Sequence, residues 1–137
     1  VQCGVDDRVR FIGWLDANIV PAFLRAGDVG LIPHEVGPLT NTTLPNKLFD
    51  CMLQGLPVLV TEMEPVARIV NERECGLIIP NEAGVAEVGD IMVRMMHSPT
   101  LKEMGDRGRD AVESRYNWEV ESERVLNSVS SVTRQRV

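Results

Sequence analysis

Residues 31–60 read Leu31-Ile-Pro-His-Glu-Val-Gly-Pro-Leu-Thr-Asn-Thr-Thr-Leu-Pro-Asn-Lys-Leu-Phe-Asp-Cys-Met-Leu-Gln-Gly-Leu-Pro-Val-Leu-Val60. The order is strand, long polar loop, short helix, Gly-Leu-Pro turn, strand. Pro45 suits the first helical position and Gly55 the C′ position, so the helix is expected from about Pro45 to Gln54. A loop of Thr, Asn, Gly and Pro therefore lies between a strand end and a helix start. Open α/β sheets bind phosphorylated ligands there, because the first helical N–H groups are unpaired and carry partial positive charge. Lys47 and Asp50 stand in the first turns of that helix.

Working toward the N-terminus, Val29-Gly-Leu-Ile32 is a mostly apolar strand ending at Pro33. Asp16 to Ala26 reads as a short helix, and Pro21 puts its start near Ile19 or Val20. Val9-Arg-Phe-Ile12 alternates as a strand that stops at Gly13. Toward the C-terminus, Pro57-Val-Leu-Val60 is apolar on both faces, as a central parallel strand should be. A helix from Pro65 to about Glu74 is closed by Gly76, and Leu77-Ile-Ile79 is another buried strand, ending at Pro80-Asn81. Four β-α alternations predict a parallel sheet with helices on both faces. A doubly wound nucleotide domain has about five or six strands. At least one β-α unit is therefore expected ahead of Val1, and the chain, which does not begin with Met, is expected to be one domain of a longer protein.

After Asn81 the pattern is helical. Ala83 to His97 is expected to bury Val85, Val88, Ile91, Met92, Met95 and Met96. Leu101 to Arg115 is anchored by Leu101, Met104 and Val112, and Trp118 to about Thr133 carries Val125, Leu126, Val129 and Val132 at helical spacing.

The 137 residues are 44% hydrophobic and 25% charged, ordinary for a globular domain. A net charge of −6 without a basic patch argues against nucleic acid as a partner. No apolar run reaches the ~20 residues of a membrane span. Cys3, Cys51 and Cys75 show no CxxC spacing, which argues against zinc and a disulfide framework and fits a reducing cytosol.

Candidate ligand groups gather at the carboxyl ends of the expected strands. These are Gly13-Trp14-Leu15, His34-Glu35, the Thr40 to Asn46 loop and Thr61-Glu62. Asp50 can accept both hydroxyls of a ribose, or stand as a helix-start acid. Lys47 can meet a phosphate as a point charge, or face water. Thr42, Thr43 and Asn46 can bond phosphate or sugar, or cap the helix. Glu35 can orient a substrate hydroxyl. His34 has no visible triad partner and reads as structural. There is no P-loop, GxGxxG or HExxH.

The same residues resemble the C-terminal half of GT-B retaining glycosyltransferases of family 4, the glycosyl transferases group 1. The matching pieces are Val9-Arg-Phe-Ile-Gly13, Ala26-Gly-Asp-Val-Gly-Leu-Ile-Pro33, Pro45-Asn-Lys-Leu-Phe-Asp-Cys-Met52 and Gly55-Leu-Pro-Val58. Glu72-Arg-Glu-Cys-Gly76, Met104-Gly105 and Tyr116-Asn-Trp118 complete them. The resemblance implies a Rossmann-like α/β fold, a three-layer parallel sheet with extra C-terminal helices. It implies a cytoplasmic transferase of bacterial surface-polysaccharide or glycoconjugate synthesis, peripheral to the inner face of the membrane in one variant. This half would bind a nucleoside-diphosphate-sugar donor. An absent half would bind an acceptor sugar or lipid-linked glycan, and the 137 residues alone would be inactive.

The family's two glutamates, seven residues apart, would fall at Thr42 and Asp50. Asp50 would then hold the donor ribose, while the first acid is absent from its usual place, with Glu35 as the substitute. The N–H groups near Thr43 and Leu44, with Lys47, would stabilise the diphosphate leaving group without a metal or cofactor. Gly13 and Leu15 complete the expected donor-binding set, and no residue is assigned as catalytic. Two alternatives are a sugar-nucleotide epimerase on the same fold and a Rossmann-like binding module without transfer.

Overall fold

The computed structural model describes Gly4, Val5 and residues 7–134, with side chains placed through residue 131. Cys3 and the Val132 side chain lie outside the described residues. The chain runs α1 (Val20–Arg25), β1 (Gly30–Ile32), a 3₁₀ turn (Thr40–Thr42), α2 (Asn46–Leu53), β2 (Val58–Thr61), α3 (Glu64–Arg73) and β3 (Gly76–Ile79). Three helices follow: α4 (Val85–Met96), α5 (Leu101–Ser114) and α6 (Trp118–Arg134).

The sheet is parallel with order β1-β2-β3; Gly30 pairs with Val58, and Val58 with Gly76. Central β2 explains its all-apolar sequence. Val58 and Val60 point into one core with Ile32, Leu48, Met52, Val66 and Val70, so that face is covered by α2 and α3, with Ala111 and Val112 of α5. Leu59 points the other way, with Ile79, Ile91 and Met95, against α4. The period-2 alternation of the strand thus sorts its residues between two helical layers.

Two close approaches set this packing. A Cβ on Gly76 would run into the Val58 carbonyl, and one on Gly105 into the Gly55 carbonyl. Gly105 therefore lets α5 lie directly against the turn that ends α2. From α5, Arg109 donates to the Leu53 and Gln54 carbonyls at 3.3 and 2.9 Å, and Arg107 donates twice to the Glu74 carbonyl at 2.9 and 2.7 Å. These guanidinium groups satisfy open carbonyls at the C-terminal ends of α2 and α3.

Four sequence expectations are corrected. Val9–Ile12 forms no ladder; Val9, Phe11 and Ile12 are exposed, and β1 has no outer neighbour among the described residues. Alternating sequence makes a strand only where a neighbour offers backbone partners. The residue that ends α3 is Glu74, left-handed at φ 47°, and Gly76 instead opens β3. Pro45 is the N-cap of α2 rather than its first helical residue. In α4 only Ile91 and Met95 are fully buried, whereas Val85, Met92 and Met96 are exposed. Val85, the first residue of the helix, is almost wholly exposed. On α6, Val125, Leu126 and Val129 keep their helical spacing but face outward.

Candidate functional site

Because the strands are parallel, Ile32, Thr61 and Ile79 end at one edge of the sheet. The segments leaving them are tied to one another. Thr61 Oγ1 donates to the His34 carbonyl at 2.6 Å. The Asn81 N–H donates to Glu62 Oε2 at 3.2 Å, and its side chain reaches the Glu62 carbonyl at 3.5 Å. A cleft of about 640 Å³ opens above these ties, between Pro33–Val36 on one side and Pro80–Ala83 with Val88 on the other. Glu35 and Glu82 line it; His34 Nε2 is buried there with no hydrogen-bond partner among the described residues.

The loop from Glu35 to Thr43 is folded on itself. Thr40 Oγ1 accepts the Gly37 N–H at 2.8 Å and donates to the Glu35 carbonyl at 2.8 Å. The Asn41 N–H bonds the Gly37 carbonyl at 2.8 Å. The Thr42 hydroxyl donates to the Leu39 carbonyl at 2.9 Å and that of Thr43 to the Thr40 carbonyl at 3.1 Å. Both hydroxyl protons are thus engaged inside the turn, and what each oxygen can still offer a ligand is a lone pair. The loop is pinned outward as well, through Asn41 Oδ1, which accepts the Glu64 N–H of α3 at 2.6 Å.

α2 buries Leu48, Cys51 and Met52 and exposes Asn46, Lys47 and Asp50. Lys47 and Asp50 are three residues apart, hence on neighbouring positions of one helical surface. Both act on the thiol between helix and sheet. Burial raises the Cys51 pKa most, the Asp50 carboxylate raises it further, and the Lys47 ammonium opposes them. The helix begins without a side-chain cap, and among the described residues no side chain bonds its first N–H groups. Lys47 also reaches the outer side of β1, lining a groove with Phe23, Leu24 and Cys51.

The predicted residues accordingly fall into three places. Glu35, Thr42, Thr43 and Leu44 belong to the loop and its exit. Asn46, Lys47 and Asp50 share the exposed side of α2. Gly13 and Leu15 are bonded to neither among the described residues; a Cβ on Gly13 would meet nothing within 4 Å, and Trp14 beside it is fully solvated. Two residues that the sequence reading passed over also line this edge. Glu82 faces the cleft, and Arg68 of α3 lies beside Thr42 in a smaller polar hollow. Glu82 was within reach of the strand-end rule, three residues past Ile79; Arg68 gave no signal, because only the fold sets α3 against the loop. No group of three or more His, Cys, Asp or Glu able to hold a metal occurs among the described residues.

The family model "Glycosyl transferases group 1" matches residues 1–98. A phosphatidyl-myo-inositol mannosyltransferase of Mycobacterium leprae is 25% identical over 130 residues, 94% of this chain and 33% of that protein. An alpha-D-kanosaminyltransferase of Streptomyces kanamyceticus is 22% identical over 73% of this chain and 24% of its own length. A third relative, from Corynebacterium glutamicum, is 25% identical over 95% of this chain and 34% of its length. It is a GDP-mannose-dependent monoacylated alpha-(1-6)-phosphatidylinositol monomannoside mannosyltransferase. The chain thus spans at most about a third of these relatives. Among solved structures, a sucrose-phosphate synthase from Thermosynechococcus elongatus superposes with a TM-score of 0.70 at 20% identity, covering 94% of this chain and 32% of that one. That likeness is one of fold.

Proposed function

The chain belongs to the glycosyl transferases group 1 family, with the Rossmann-like fold of a GT-B half, and we propose that it is the donor-binding domain of a sugar transferase. One observation carries the proposal. The pinned Glu35–Thr43 loop leads straight into the uncapped start of α2, with Lys47 and Asp50 on the exposed side of that helix. A nucleoside-diphosphate sugar carries groups for each of these: hydroxyls for a carboxylate, and a diphosphate for N–H groups and an ammonium.

In this reading Asp50 accepts the ribose hydroxyls. The N–H groups from Leu44 to Lys47, Pro45 excepted, and the Lys47 ammonium receive the diphosphate. As the bond from the sugar to the diphosphate breaks, negative charge grows on the leaving oxygens, and donors already aimed there stabilise it. Neither a metal ion nor a cofactor takes part. Glu35 stands in the cleft where the donor sugar projects and takes the place of the family acid whose usual position is occupied by Thr42. The transfer retains anomeric configuration. The acceptor, a sugar or lipid-linked glycan, is held by a second domain outside these 137 residues, and the enzyme works in the cytoplasm against the membrane face. No helix of the described residues is long and apolar enough to cross a membrane.

Two relatives named as mannosyltransferases, one of them GDP-mannose-dependent, make GDP-mannose the first donor to try. The test is calorimetric titration of the chain with UDP, GDP, ADP and GDP-mannose. Saturable binding of at least one is expected, with a preference among the bases. Failure of all four to bind would refute the donor reading.

A further inference from the structure

We propose that Asn41 is a positioning residue for the donor, acting through the first turn of α3. The inference rests on the donor reading above and adds a residue to it. Asn41 Oδ1 accepts the Glu64 N–H at 2.6 Å, across 23 residues of chain. Met63, the residue that would normally cap α3, supplies no side-chain bond. Asn41 therefore caps α3 from a distant loop, where a local Ser, Thr, Asp or Asn would ordinarily do so.

The consequence runs toward the loop. α3 is a firm post: Val66, Ala67, Ile69 and Val70 are buried, and Arg107 fastens its far end through the Glu74 carbonyl. The loop is mostly exposed, and its other bonds are internal to residues 35–43. Its N–H held by Gly37 and its side chain held by Glu64, Asn41 is the hydrogen-bonded link that ties this folded turn to α3, at the end of the loop opposite Val36, which packs against the core. Thr42 and Thr43 follow it directly, and α2 begins three residues later. A loop ordered before the ligand arrives spares the binding step the conformational entropy of ordering it. The clamp should therefore appear in donor affinity, beyond its effect on stability.

The experiment titrates the chain with UDP, GDP and ADP as wild type, as Asn41→Ala, as Glu64→Pro and as the double variant. Glu64→Pro removes the donor N–H together with the first-turn carboxylate, at the start of a helix where proline is well tolerated. Glu64→Ala, which removes the carboxylate but keeps the N–H, is the control and should bind nucleotide like the wild type. Asn41→Ala and Glu64→Pro are each expected to weaken nucleotide binding about fivefold, the factor a helix cap is worth. The double variant should bind no more weakly than the weaker single variant, because both changes cut one bond. Hydrogen exchange at the Thr42 and Thr43 amides should quicken in each variant except Glu64→Ala. Unchanged affinity in Asn41→Ala, whatever its denaturation midpoint, overturns the proposal. So does a loss in Asn41→Ala without a loss in Glu64→Pro, since Asn41 would then touch the ligand itself. Were the wild type to bind none of the three nucleotides, the donor reading would fall first, and this inference with it.

Discussion

The Thr61 hydroxyl donates to the His34 carbonyl at 2.6 Å, joining the last residue of β2 to the point where the chain leaves β1. β2 is central in the sheet, so the candidate loop starts from a fixed origin. Replacing Thr61 by Val keeps the shape and deletes the donor, leaving a half-buried carbonyl unpaired. Thr61→Val should cost about 1 kcal/mol of unfolding free energy and Thr61→Ser much less. Urea denaturation of the three proteins checks this, and equal midpoints for Val and Thr would show the bond to be idle.

Asp50 supplies the sharpest test of the donor site. It is exposed and carries no part of the core, so its loss should leave the fold intact. If it accepts ribose hydroxyls, Asp50→Ala should weaken nucleotide binding about tenfold, as expected for hydrogen bonds to a charged group. 2′-Deoxynucleotides should lose affinity with the wild type but not with Asp50→Ala. An undiminished affinity in the variant, measured by calorimetry, would remove Asp50 from the site. The 137-residue chain incubated with donor and acceptor alone should give no transfer product, since the reading places the acceptor in another domain.

Two glycines in neighbouring helices should respond oppositely to the same change. A Cβ at Gly105 meets the Gly55 carbonyl, so Gly105→Ala must push α5 off α2 and should destabilise by about 1–3 kcal/mol. A Cβ at Gly89, inside α4, meets nothing within 4 Å. Gly89→Ala should stabilise by about 0.5–1 kcal/mol, through the lower backbone entropy of the unfolded chain. Thermal denaturation distinguishes them by the sign of the shift.

Cys75 ties stability to alkaline pH. Burial pushes its thiol up to about 11 from an ordinary value of 9.0. The folded form thus holds the proton more tightly than the unfolded form. The contribution is fully present below about pH 9 and is lost as pH rises toward about 11, where the unfolded thiolate is favoured. Unfolding free energy should fall over that window by up to ~2–3 kcal/mol, and Cys75→Ala should flatten that part of the profile. Denaturant titrations at pH 8, 9, 10 and 11, taken from the order of the two values, read it directly.

Much of the fold is legible in the residues. The all-apolar Pro57–Val60 run predicts a central strand, and Val58–Thr61 is one, buried on both faces. Pro21 starts α1 at Val20, and Gly55, at φ 74°, ends α2 where the turn needs a left-handed residue. Periodicity fails where it must stand in for a neighbour. Val9–Ile12 alternates as well as any strand here but pairs with nothing described. Val85 has the spacing of a core residue and none of the cover.

By itself the sequence determined the alternation of strands and helices, the polar loop ahead of Asn46 and the likeness to a glycosyltransferase family. These are properties of local order along the chain: turn residues, apolar spacing, motif succession. Tertiary structure alone decided that Asn41 would cap a helix that starts 23 residues later, that Thr61 would hold the His34 carbonyl, and that Glu35 and Glu82 would face one cleft. Those pairings come from the parallel sheet, which brings the ends of strands far apart in sequence to one edge. No local pattern encodes them, because each requires a strand and its neighbour to be in register before the partners meet.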